Sequence, residues 1–157
     1  PDAGGVPRAR ALSQMLRLGN EIAIFLKQRT KPGEIDENTI TVIGDVRGKN
    51  VLLVDDIIDT ATTMAHQAMA AKKHEAKDVY AYGTHAVLSG SAIEKLDASG
   101  MKEVIITDTI WHPPQKLIAA SSVKITTLSI CKLLARAISH LHDGLSLSEL
   151  IPRKPND

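Results

Sequence analysis

The chain has 157 residues, 43% hydrophobic and 24% charged, with only 3% aromatic and a formal net charge of +1. That length suits one ordinary domain with a single core, which Leu, Ile, Val and Ala must build. The near-zero charge gives no case for a nucleic-acid or membrane surface, no apolar run is long enough to span a bilayer, and one cysteine excludes an internal disulfide.

In chain order, Pro1-Asp2-Ala3-Gly4-Gly5 is a loop sequence without an initiator Met, as expected of a piece of a longer protein. Val6 to Gly19 predicts a helix, with Val6, Ala9, Leu12 or Ser13, and Leu16 at helical spacing and Gly19-Asn20 as the stop. Glu21 to Leu26 predicts a short strand. Lys27 to Asn38, with Lys31-Pro32-Gly33, predicts an exposed and mobile loop. Thr39 to Gly44 is a β-branched strand, and Asp45 to Asn50 is a turn. Val51 to Val54 is a continuous apolar run, the pattern of a strand buried on both faces, and it ends in Asp55-Asp56.

Ala61 to Lys73 then predicts a helix, Val79 to Thr84 a strand, Ser89 to Ala98 a helix and Glu103 to Thr107 a strand. Trp111 to Pro114 is expected as loop, with Trp111 packed as its anchor. Val123 to Leu128 is the last strand. Ile130 to Leu141 is a helix closed by Asp143-Gly144, with Cys131 expected as a buried, inert thiol in its apolar pattern. The tail after Ile151 is polar and expected to fray. Strands alternate with helices, so the fold class is α/β with a mainly parallel sheet flanked by helices.

The chemistry is concentrated between Val51 and Thr63. A buried strand carries Asp55 and Asp56 to its C-terminal end, the edge where open α/β sheets bind ligands. Asp59, Thr60, Ala61, Thr62 and Thr63 follow at the mouth of a helix, where backbone N–H groups and threonine hydroxyls suit a phosphate. Asp55 and Asp56 would repel a phosphate and are better placed to accept from sugar hydroxyls or to ligate Mg²⁺. A phosphorylated sugar satisfies both ends. The plainer reading makes Asp59 or Thr60 a helix cap and leaves the Asp pair solvated.

The 13-residue string Val51 to Thr63 resembles the ribose 5-phosphate and PRPP-binding signature of type I phosphoribosyltransferase-like folds. Pro1 to Gly5, followed by Arg8-Ala9-Arg10-Ala11, resembles the Pro-Asp-x-Gly-Gly diphosphate loop of PRPP synthases (ribose-phosphate diphosphokinases). Lys27-Gln28-Arg29 is similar to that family's Lys-Arg-Arg stretch, and Thr84-His85, Ser89-Gly90, Thr107 to Ile110 and His142-Asp143-Gly144 with Ser146 and Ser148 fall at its spacing. The resemblance implies transfer of diphosphate from ATP to the 1-hydroxyl of ribose 5-phosphate, with Mg²⁺. It implies Asp55 and Asp56 on the ribose hydroxyls, and Asp59, Thr60, Ala61, Thr62 and Thr63 on the 5-phosphate. It further implies Asp2, Gly4 and Gly5 on diphosphate, Asp2, Asp55 and Asp56 at the metal, and Lys27 and Arg29 in catalysis.

Under that resemblance residues 1–151 are the C-terminal domain, 152–157 a tail, and an N-terminal domain carrying most of the ATP contacts is missing. A cytoplasmic homo-oligomer, with no nucleic-acid or membrane partner, is implied as well. Gln28 and Thr62 depart from the family pattern, Thr62 standing where a glycine is usual. Two further readings stay open: a non-catalytic subunit associated with the synthase, and a PRPP-using phosphoribosyltransferase.

Overall fold

The computed structural model describes residues 5–18, 21–27, 40–118 and 122–151. In order these form α1 (Val6–Met15), β1 (Ile24–Lys27), β2 (Ile40–Ile43), β3 (Val51–Ile58), α2 (Thr62–Lys73), β4 (Val79–Ala86), α3 (Ala92–Ala98), β5 (Glu103–Thr107), α4 (Pro114–Ile118), β6 (Lys124–Leu128) and α5 (Cys131–His142). A 3-10 turn, Leu147–Leu150, follows α5. No helix among the described residues is long and apolar enough to cross a membrane.

The central sheet has four parallel strands in the order β3-β4-β5-β6. Each crossover carries a helix, as parallel neighbours require. The fold class is therefore the α/β architecture predicted. Among the described residues the one antiparallel pair is β1 with β2, in a separate two-stranded sheet, with Ile24 opposite Ile43 and Lys27 opposite Ile40. Lys27 is thus the last residue of a strand rather than the first of a loop, and the predicted loop beyond it lies outside the described residues. Gly19 and the tail from 152 lie outside them too.

The scarcity of aromatics shows in the core. Val51, Leu53, Val79, Ala81, Val104 and Ile106 of the sheet meet Met64, Ala68 and Ala71 of α2 and Ile93 and Leu96 of α3. Ala68, Ala71 and Ala81 have no exposed surface, so small side chains let α2 lie close on the strands. Burying each Val, Leu or Ile there stabilises by about 1.5–3 kcal/mol.

Burial along β3 alternates instead of covering both faces. Val51 and Leu53 are buried, whereas Leu52 and Val54 are half-buried. α2 and α3 cover one face; Leu52 and Val54 line an open cavity of about 440 Å³ with Ala9 and Leu12 of α1 and Phe25 of β1. β3 also runs four residues past its predicted end, because β4 continues beside it, with Asp55 opposite Gly83, Ile57 opposite His85 and Ile58 opposite Ala86. A polar Asp pair does not stop a strand whose backbone still has a partner.

Helix ends follow a similar rule. α1 stops short of Gly19, because Arg17 takes a left-handed conformation (φ 55°) and the Arg17 and Leu18 N–H groups donate back to Gln14 O and Ser13 O. This is the double bond pattern of a Schellman end without its usual glycine. α5 ends the same way at Gly144, as predicted, with Leu145 N donating to His140 O at 2.7 Å.

The far edge departs most from expectation. No residue of α5 is buried, and Leu134, Ile138 and Leu141 stand exposed along one stripe. Cys131 is exposed rather than buried, since the helix packs mainly against its own 3-10 turn. Trp111 is 77% exposed and does not anchor its loop. His112 does so instead, through Nε2 at 2.5 Å from Ala86 O, and Pro114 opens the unpredicted helix α4.

Gly83 is where backbone and core come closest. A Cβ there would lie 2.4 Å from both Cγ1 and Cδ1 of Ile58, a side chain 2% exposed. Gly83→Ala is expected to destabilise the fold by about 1–3 kcal/mol through overpacking, read from urea denaturation. A change within about 0.5 kcal/mol would mean that Ile58 can turn aside and that the close approach constrains nothing.

Candidate functional site at the β3–α2 junction

β3 holds two adjacent carboxylates in its second half. The Asp56 N–H donates to Asp55 Oδ1 at 3.0 Å, which ties the Asp55 carboxylate to the next peptide. Arg8, on the first turn of α1, donates through a guanidinium nitrogen to Asp56 Oδ2 and forms an ion pair with it. The two acids are therefore unlike. Burial pushes the Asp55 carboxyl up, and its hydrogen bond with Asp56 adds to the shift. The Arg8 hydrogen bond holds Asp56 down, helped by the bond with Asp55. Asp56 thus stays a carboxylate while Asp55 is the easier of the two to protonate.

Past Ile58 the chain turns through Asp59, Thr60 and Ala61 into α2. Ala61 is left-handed (φ 58°) and buried, and no side chain caps the helix. The plainer reading of Asp59 or Thr60 as a cap is thus not what the chain does. Asp59 turns the other way: its carboxylate accepts from Ser89 Oγ, and its carbonyl accepts from Ser89 N at 3.1 Å. Ile58 O accepts from Leu88 N at 3.1 Å. Three bonds thus fasten the loop to the segment that follows β4. The Thr60 and Thr62 hydroxyls lie 3.2 Å apart, at the mouth of a 12-residue helix whose N-terminus carries a partial positive charge.

The structure gathers Asp55, Asp56, Asp59, Thr60, Ala61, Thr62 and Thr63 along one strand end and one helix mouth. Gly5 sits at the N-cap of α1, one turn before Arg8, so the start of that helix faces the Asp pair. Asp2, Gly4, Gln28 and Arg29 lie outside the described residues. Among the described residues no group of three or more His, Cys, Asp and Glu could hold a metal ion.

Besides Ser89 at Asp59, two cationic side chains touch the site that sequence reasoning assigned no role. Arg8 is one, separated from Asp56 by 48 residues. Lys95 of α3 is the other, its Nζ donating to Thr62 Oγ1 at 2.8 Å across 33 residues. Arg8 stood within the quoted Arg8-Ala9-Arg10-Ala11 string, so a signal existed. Lys95 had none.

Comparison with known proteins bears on what this arrangement is for. Residues 7–152 match the family model described as the phosphoribosyl synthetase-associated domain. The chain belongs to that family. It is similar to the ribose-phosphate pyrophosphokinase of Caldanaerobacter subterraneus, at 45% identity over 150 residues, 96% of this chain and 45% of the relative. The enzyme of the same name from Nitrosomonas europaea is 41% identical over the same shares. The crystal structure of phosphoribosylpyrophosphate synthetase from Mycobacterium smegmatis superposes with a TM-score of 0.79 at 35% identity, covering 92% of this chain and 44% of that one. The chain spans less than half the length of the curated relatives it matches.

The Arg8–Asp56 pair is half-exposed, so it adds little to stability. What it adds is present above the ordinary carboxyl value of 3.8 and is lost as pH falls below it toward the depressed folded value. Arg8→Met is expected to move the Asp56 titration midpoint upward, followed by carboxyl ¹³C shifts. An unmoved midpoint would show that Arg8 does not set the charge of Asp56 in solution.

Proposed function

We propose that this chain is the ribose 5-phosphate-binding part of a ribose-phosphate diphosphokinase. The observation that supports it most is the order of chemistry along one backbone stretch. Two carboxylates lie on β3, followed within three residues by a hydroxyl-rich turn at an uncapped helix mouth. A ligand with hydroxyls at one end and a phosphate at the other matches that order.

In the proposed reaction the 1-hydroxyl oxygen of ribose 5-phosphate attacks the β-phosphorus of ATP. The bond from that phosphorus to the oxygen shared with the α-phosphorus breaks, AMP leaves with that oxygen, and the hydroxyl proton is lost. Such a transfer depends on in-line positioning and on cancelling negative charge. Asp55 and Asp56 would accept from ribose hydroxyls, and Asp59, Thr60, Ala61, Thr62 and Thr63 would hold the 5-phosphate. The paired carboxylates also suit Mg²⁺, a hard cation that takes one or two carboxylates and keeps several waters. When bound it would offset phosphate charge. Lys27 and Arg29 are assigned to the transferred group, and Asp2, Gly4 and Gly5 to diphosphate, on the family resemblance. ATP contacts are assigned to a domain beyond this chain, and the working protein to a cytoplasmic homo-oligomer.

Two measurements on the 157-residue chain test this reading. Titrating ribose 5-phosphate is expected to shift the amides of Asp55 to Thr63, weakly and reversibly. AMP release from ATP and ribose 5-phosphate is expected to be absent. Asp56→Asn should weaken ribose 5-phosphate while leaving inorganic phosphate unaffected. Shifts confined to residues far from this stretch would remove the binding claim, and robust AMP release would remove the claim that further chain is required.

A further inference from the structure

We propose that Lys95 is the cation of the phosphate end, binding the 5-phosphate directly through the Nζ that already donates to Thr62. This rests on the reading of the loop as a phosphosugar site, and it adds a residue that the reading does not contain.

The case starts from charge. Asp55 to Thr63 holds three carboxylates and no Lys or Arg. Arg8 answers Asp56 and stands at the sugar end. At the other end Asp59, held by Ser89, stands beside the turn where a phosphate ester of nearly two negative charges would sit. Backbone dipoles and hydroxyls alone would have to outweigh that repulsion. Lys95 supplies the missing charge at the right place, since its Nζ lies 2.8 Å from the hydroxyl of the first residue of α2.

Three features separate this lysine from a surface one. Lys95 is half-buried on α3, a helix whose Ile93 and Leu96 are buried in the core, and its bond to Thr62 is itself partly buried. The segment that carries it braces the loop twice: Ser89 donates to Asp59, and Lys95 donates to Thr62. Among the described residues no carboxylate pairs with Lys95, unlike Lys49, Lys102 and Lys124. An ammonium has three donors, and the Thr62 bond takes one. The other two are available to phosphate oxygens at the helix mouth. The contact is particular to this chain's loop, because the hydroxyl that aims Lys95 belongs to the threonine at the position where the resemblance led us to expect glycine.

The test is a titration of inorganic phosphate and of ribose 5-phosphate into the 157-residue chain and into Lys95→Met and Lys95→Arg. In the unaltered chain, phosphate is expected to shift the Lys95 ε-methylene resonances together with the amides of Asp59 to Thr63. Lys95→Met should weaken both ligands about tenfold, the scale of one lost charge-assisted bond, and should flatten the salt dependence of binding. Lys95→Arg should restore most of the affinity, which a merely structural contact with Thr62 would not require. If phosphate shifts the loop amides while Lys95 stays silent, or Lys95→Met binds as tightly as the unaltered chain, Lys95 is not the phosphate cation and the loop reading stands without it. If phosphate shifts nothing near the loop in any form, the site reading falls and this inference with it.

Discussion

The site depends on how Ile58 is seated. It is the last residue of β3, it is 2% exposed, and its side chain occupies the space that a glycine at 83 leaves open on the neighbouring strand. The residue after it is Asp59. The loop is therefore aimed by a core contact on one side and by the hydrogen bond from Leu88 N to Ile58 O on the other. A buried side chain with no room to turn fixes backbone direction better than any surface bond does. The left-handed Ala61 then completes the turn, its small side chain buried under the loop. Strand, turn and helix mouth form one rigid lead-in, and the polar groups ride on it.

Charge is balanced from outside that lead-in. The stretch itself is acidic, and each of its cationic contacts comes from a distant helix: Arg8 from α1 at Asp56 and Lys95 from α3 at Thr62. The split between Asp55, pushed up by burial, and Asp56, held down by Arg8, follows from this placement. Two adjacent acids of identical chemistry come to differ because one faces the interior and the other faces a guanidinium.

Much of this was legible in the sequence, and the rest failed for identifiable reasons. Short apolar and β-branched runs located every strand described, and β5 was found to the residue. The loop string located the site. Reading Asp55-Asp56 as a strand end failed because strand length is decided by the partner, and β4 was still alongside. Reading Cys131 as buried failed because an apolar stripe states which face wants cover, not whether cover is present; α5 shows its stripe to solvent. Trp111 failed for the same reason. The end of α2 at Lys73 was legible, whereas Gly19-Asn20 misled for α1, because the left-handed Arg17 ends that helix earlier without a glycine. Arg8 with Asp56, and Lys95 with Thr62, are tertiary pairs that no local pattern encodes.

The strand order carries a consequence for how the molecule assembles. In β3-β4-β5-β6 every strand pairs with its predecessor in sequence, so no strand has to insert between two that are already joined. Loop-closure entropy is then paid in short instalments, one crossover at a time, which keeps sequence separation low for a parallel sheet. The first instalment joins β3 to β4 through α2, and it brings Ile58 onto Gly83. The contact that aims the loop is thus made between β3 and β4 alone, with no part taken by β5 or β6. Lesions in β6 would fall at the far edge of the sheet from β3, and those in α5 on a helix with no buried residue, both away from that contact.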